Sequence, residues 1–277
     1  MIALLLLLQD YETIFRQIHP TPSKEGAFER WDAQPRAVVM IQGLKPHPFS
    51  SEKPNQAVPS SWQDAGSLMA RALQDHADLY IFSYAQNRPV EEIAGAQNQD
   101  GKSFGDYLAE VRALGYDEVV LVAFSAGGLI ARQFVEDHPD AGVTRVVQVC
   151  SPNTGSSLGG LDLGVRHDQE VFLNSLTKQA RREFLDGRID ARIPDAVEFV
   201  AVMGTGAGSG DSAVSRESAW PDDLREQRIP VVEIDTLHFA AVRGKTGTAR
   251  IAELAVTPQP RWTAEQVEQA EKALLRQ

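Results

Sequence analysis

The sequence predicts an α/β fold, a mostly parallel sheet with helices on both faces, and three observations carry this. Short apolar, β-branched runs recur from residue 37 onward. Helical patterns fill the connections between them. The runs are apolar at consecutive rather than alternate positions, as strands covered on both faces require. A chain of 277 residues with 43% hydrophobic content is long enough to bury one large core.

Residues 1–36 read as an N-terminal extension preceding the main domain at 37–277. Its apolar run from Ile2 to Leu8 lacks a basic lead-in and a small-residue cleavage site, and it is far too short to span a bilayer. Two readings stand open: a short export signal, or the first turns of a helix continuing through Tyr11, Ile14, Phe15 and Ile18. An exported and a cytoplasmic location are accordingly both open. No internal run approaches the length of a membrane span.

Strands are predicted at 37–42, 78–84, 118–124, 145–150, 198–204 and 230–235. Trp62, Ala65, Met69 and Leu73 share one helical face, as do Phe104, Tyr107, Leu108 and Val111. A third helix is expected over 126–137. Thr263 and Gln266 form a capping box for a last helix that presents Val267, Ala270 and Leu274. The stretch at about 151–195 exceeds a simple crossover and carries Phe172, Leu176, Ala180 and Phe184 in an amphipathic run, which predicts a small cap insertion. A longer packing helix would show the same pattern. The polar loop 86–102 and the Pro-rich loop 45–59 are the other long connections.

Composition narrows the function. The balance of 27 basic and 38 acidic residues gives −11, which argues against nucleic acid and anionic membrane surfaces as electrostatic partners and favours an uncharged substrate. Cys150 is the single cysteine, so there is no intramolecular disulfide, no CxxC motif and no cysteine-based metal site.

In VVLVAFSAGGLIARQF, over 119–134, a buried strand runs directly into Ser125 and a helix begins at once. A sharp strand-to-helix turn exposes a serine hydroxyl at a helix N-terminus, and it demands small neighbours where the chain passes close to itself, here Ala123 and Gly127. A glycine-bearing turn with no chemistry is the bland alternative. With these residues the sequence resembles the α/β-hydrolase superfamily, and within it the bacterial lipases and esterases whose turn begins with alanine. Most of that superfamily has glycine at the first position, and alanine is the smallest departure from it. A serine at the turn, rather than an aspartate, sets aside dehalogenase and epoxide hydrolase chemistry.

The resemblance implies a base and an acid downstream in the order Ser, Asp, His. Of the histidines that follow Ser125, His138 ends the helix leaving the turn and His167 precedes any plausible acid, whereas His238 follows the last strand, where the superfamily keeps its base. Asp211, in the glycine-rich loop after the strand ending at Gly204, resembles the family's acid; Asp235 and Asp195 are the alternatives. The oxyanion of acyl transfer needs two N–H donors. One is implied at Ala126. The other is implied at Leu44, because VVMIQGLKPHP resembles the family's HG turn, with Gln42 or Gly43 shifting the register by one. Gly43 and Phe124 are expected to line the substrate, and His47, flanked by Pro46 and Pro48, is either a pocket-rim residue or a solvated loop histidine. The stretch SPNTGSSLGG, 151–160, resembles the pocket floor of lipases and of deacylases of glycosylphosphatidylinositol lipids.

The resemblance spans roughly 37–245 and implies hydrolysis of a small-molecule or lipid carboxylic ester, with no metal or organic cofactor. Amide, thioester or peracid chemistry on the same residues, and a non-catalytic binding protein with the same fold, remain the alternatives.

Overall fold

The computed structural model describes residues 11–19, 28–31, 34–46, 53–156 and 167–275. Among the described residues, seven strands form one sheet in the order β1-β3-β2-β4-β5-β6-β7. They are β1 (Thr13–His19), β2 (Arg36–Ile41), β3 (Asp78–Tyr84), β4 (Glu118–Phe124), β5 (Arg145–Val149), β6 (Glu198–Gly204) and β7 (Val231–Ile234). Every neighbouring pair is parallel except β1 with β3. The six strands read from the sequence are all present.

The strand β1 corrects the helical reading of Tyr11, Ile14, Phe15 and Ile18. In TIFRQIH the residues Thr13, Phe15 and Gln17 point inward, while Ile14 and Arg16 are half-buried. That is a period of two, and edge pairing with β3 won over a spacing that also fits a helix. The apolar run Ile2–Leu8 lies outside the described residues.

Successive residues of each central strand feed opposite cores. Val39, Ile41, Tyr80, Phe82, Leu121 and Ala123 face one core, which α2 (Phe104–Ala113) and α3 (Ala126–Asp137) cover. Val38, Met40, Leu79, Ile81, Val120 and Val122 face the other, under α1 (Leu68–Leu73) and α8 (Lys245–Val256). Both faces being dry is why these runs carry no polar alternation.

Two helical patterns are interrupted. Trp62 sits in a 3₁₀ turn, Ser61–Gln63, and Ala65 is exposed in the following turn. The α-helix begins only after Ser67, whose hydroxyl accepts from the Ala70 N–H. The run through Phe172 and Phe184 divides at Thr177 into α4 (His167–Ser175) and α5 (Lys178–Asp186), because Thr177 caps the second helix. Phe172, Leu173 and Leu176 are core residues, Phe172 beside the Tyr84 ring, so they pack the connection onto the sheet. After β6 come α6 (Arg216–Ala219) and α7 (Asp222–Glu226), and the chain ends on α9 (Ala264–Leu274) with the Thr263–Gln266 capping box formed. No described helix is long and apolar enough to cross a membrane.

Candidate active site

Ser125 stands between β4 and α3 with φ 54° and ψ −124°, a conformation that costs a non-glycine residue energy and that its surroundings must enforce. The Ser125 N–H donates to the Val149 carbonyl at 2.7 Å, which fixes the turn on the neighbouring strand. A Cβ added to Gly127 would lie 2.2 Å from the Gln42 carbonyl oxygen, and one added to Gly43 would lie 2.7 Å from Ser125 Cβ. The turn is therefore wedged against the end of β2, and only glycine fits at either contact. Phe124 is buried beneath, its ring 4.9 Å from that of His238.

His238 and Asp211 arrive from two loops beyond the C-terminal ends of β7 and β6. The His238 N–H donates to the Asp211 carbonyl at 2.8 Å, so backbone joins the loops before the side chains meet. His238 Nδ1 then lies 2.7 Å from Asp211 Oδ2, and Nε2 lies 2.9 Å from Ser125 Oγ. Ser125, Asp211 and His238 are 6%, 1% and 2% exposed. The other carboxylate oxygen, Asp211 Oδ1, accepts from the N–H groups of Ala213 and Val214 at 2.9 and 2.8 Å. Burial pushes the Asp211 carboxyl up, but the imidazole hydrogen bond and charge, with these two N–H donors, hold it below the ordinary carboxylate value. An ionised Asp211 fixes the Nδ1–H tautomer and leaves Nε2 free to accept the serine proton.

The alternatives are placed elsewhere. Asp235 is exposed, and Asp195 is exposed and pairs with Arg261 at 3.4 Å. His138 caps the C-terminus of α3, about 20 Å along the helix from Ser125 at 1.5 Å per residue. It lines a groove of about 670 Å³ with Asp106, Arg112 and Asp137 that shares no residue with the Ser125 site. The side chain of His167 and all of His47 lie outside the described residues.

The loop after β2 is locked by buried amides. The Gln42 N–H donates to the Phe82 carbonyl at 3.3 Å, so Gln42 is committed to the sheet. The N–H groups of Leu44 and Ala126 have no hydrogen-bond partner among the described residues. Gln86 Nε2 donates to the Gly43 carbonyl at 2.9 Å and its Oε1 accepts from the Lys45 N–H at 3.1 Å, which brackets Leu44 from both sides. Gln169 of α4 donates to Gln86 Oε1 at 2.9 Å and to the Lys45 carbonyl at 2.8 Å. Gln86 and Gln169 are 2% and 0% exposed.

Sequence reasoning missed this lock, and no local signal marks it. It also missed three supports of Asp211. Cys150 Sγ lies within 4.8 Å of the Asp211 carboxylate and the His238 ring, and burial first, then that carboxylate, push the thiol well above its ordinary value. Ser156 Oγ donates to the Ala213 carbonyl at 2.7 Å. Asn153 is fully buried, accepting from Arg132 at 3.2 Å and donating to the Ala219 carbonyl at 3.2 Å. The stretch 151–156 thus braces the loop that carries Asp211, while 157–160 lies outside the described residues.

Comparison with known proteins fits this layout. No family model matches the sequence, and no curated protein does. Among solved structures, the mature form of the Bacillus licheniformis lipase BlEst2 superposes with a TM-score of 0.62 at 18% identity over 88% of this chain and 98% of that one. The chain has the α/β-hydrolase fold. Phospholipase PlaB from Legionella pneumophila, in complex with thio-NAD, shares the fold at a TM-score of 0.59 and 14% identity, over 87% of this chain and 62% of PlaB. In this fold the three side chains meet at the rim where the parallel strands end, the place at which open α/β sheets bind ligands.

Proposed function

We propose that the protein is a serine hydrolase of carboxylic esters, with Ser125 as nucleophile, His238 as general base and Asp211 as the acid that orients it. One observation carries the reading: Asp211, His238 and Ser125 are in hydrogen-bond line at 2.7 and 2.9 Å. The lipase and phospholipase among the structures of the same fold support it in kind.

In this mechanism Ser125 Oγ attacks the ester carbonyl carbon while its proton passes to His238 Nε2. The carbonyl oxygen becomes an oxyanion and takes hydrogen bonds from the Ala126 and Leu44 N–H groups, with the α3 N-terminus adding a favourable field. Collapse of the tetrahedral species breaks the bond to the alcohol oxygen, which leaves with the proton from His238. Water then attacks the acyl-serine, gives its proton to His238, and the acid departs as the serine is restored. Asp211 stays ionised throughout and stabilises the imidazolium. α4 steadies the donor loop through Gln169.

Turnover of p-nitrophenyl butyrate by the wild type and by Ser125→Ala tests this. The expected result is loss of turnover in a variant with an unchanged melting temperature, and undiminished turnover contradicts the assignment. Equal-concentration ester, amide and thioester substrates separate ester hydrolysis, expected to dominate, from other acyl transfers on the same residues.

A further inference from the structure

The net charge of −11 favours an uncharged substrate, but two cations stand on the loops that carry Leu44 and His238. Lys45 directly follows Leu44, and its Nζ donates to the Pro59 carbonyl at 3.1 Å. Arg243 follows the turn that carries His238. Its Nε donates to Ser61 Oγ at 3.4 Å and its Nη1 to the Phe239 carbonyl at 3.3 Å, and its guanidinium lies 5.6 Å over the Phe239 ring. Two cations from separate loops of the site therefore converge on one segment, 59–61. The next residue, Trp62, sets its ring against Phe124, which in turn backs the His238 imidazole.

Neither cation has a carboxylate partner among the described residues. Burial holds the Lys45 ammonium below its ordinary value, and the charges of Lys53 and Arg243 add to this, with Asp64 as the one acid acting against them. Two cations held together in this way gain from a shared anion, and an ammonium beside a guanidinium suits the several oxygens of a phosphate. Next to them Leu237 and Phe239 flank His238 with 50% and 45% of their surface exposed, an apolar ledge on the same rim.

We infer that the substrate is an acyl ester carrying a phosphate group, whose anionic oxygens are held by Lys45 and Arg243 while the acyl chain lies on Leu237 and Phe239. The inference rests on the ester-hydrolase reading and adds the substrate class. The net charge does not oppose it, because screening confines the field that matters to about 10 Å at 0.1 M salt.

The test compares kcat/KM for dihexanoyl glycerophosphate with that for dihexanoylglycerol, both as monomers, in the wild type and in the Lys45→Gln/Arg243→Gln variant. The wild type is expected to favour the phosphate ester about tenfold or more, the ratio that 1.4 kcal/mol of charge-assisted binding gives. In the variant the ratio falls to near one, mainly through KM. In the wild type, raising salt from about 0.05 to 0.5 M erodes the preference, a readout that needs no variant to fold. Glycerol 3-phosphate separates the sources: competitive inhibition means the phosphate alone is read, and none, with the preference intact, means it is read only within the lipid. Equal wild-type rates on the two esters, or a ratio the variant leaves unchanged, overturns the inference. Hydrolysis of neither ester by the wild type would instead bring down the ester-hydrolase reading itself.

Discussion

The β4–α3 turn and the connection between β5 and β6 both shape the candidate site, but by different physics. At the turn, backbone does the positioning: Ser125 is held at φ 54° by a sheet hydrogen bond at 2.7 Å and by glycine contacts that admit no side chain. In the connection, side chains do it: Gln169 reaches from α4 to Gln86 and Lys45, Ser156 to Ala213 beside Asp211, and Asn153 to Ala219 at the end of α6. A backbone device is written in a few adjacent residues. A side-chain device is spread over partners as far apart as Gln169 and Lys45, so one region is locally encoded and the other is not.

Substitutions can break this contrast, and the largest effect is expected on the relay both regions serve. Asp211→Asn removes the carboxylate that fixes the imidazole tautomer and should lower kcat about 10³–10⁴-fold with the fold kept; ester turnover with a circular dichroism control checks it. Next, Gln86→Leu or Gln169→Leu releases the Leu44 loop and should cost about 10²-fold in kcat with KM nearly unchanged, the scale of one misplaced oxyanion donor. The double variant should be little worse than either single one, because the amides act as one unit. A loss of melting temperature with kcat intact would make the lock merely structural.

A smaller effect is expected from the backbone device. Gly127→Ala places a Cβ 2.2 Å from the Gln42 carbonyl, so the turn must shift, and chemical denaturation should show a loss of about 1–3 kcal/mol. The smallest concerns acid. Asp211 is held below the ordinary carboxylate value in the folded protein, so it contributes stability above its unfolded value, near 4, that is lost as pH falls through the folded one. Denaturation between about pH 7 and pH 3 should therefore show a shallower acid decline in Asp211→Asn than in the wild type.

The same contrast explains what was legible in the sequence. Six strands were readable because both faces of the sheet are dry, and Ser125 because its turn needs Ala123, Gly127 and a strand running straight into a helix. Asp211 and His238 were picked out by resemblance, each in a loop beyond a strand end, and the structure brings their side chains to Ser125. The strand β1 was not, since Tyr11, Ile14, Phe15 and Ile18 fit a helical spacing as well as the alternation that edge pairing selected. Gln86, Gln169 and Cys150 were not, because an amide or a thiol acquires its role only from the groups that folding brings to it. The cation pair Lys45 and Arg243 was masked by the summed charge, which averages over a surface where the site reads only its neighbourhood.

The central claim is that Ser125 is activated through His238. Incubation with a fluorophosphonate, followed by peptide mass mapping, tests it most directly. The account predicts one stoichiometric adduct on Ser125, abolished by Ser125→Ala and slowed at least about 10³-fold by His238→Ala. An unlabelled wild type, or an adduct on Ser125 that forms as fast without the imidazole, would contradict it.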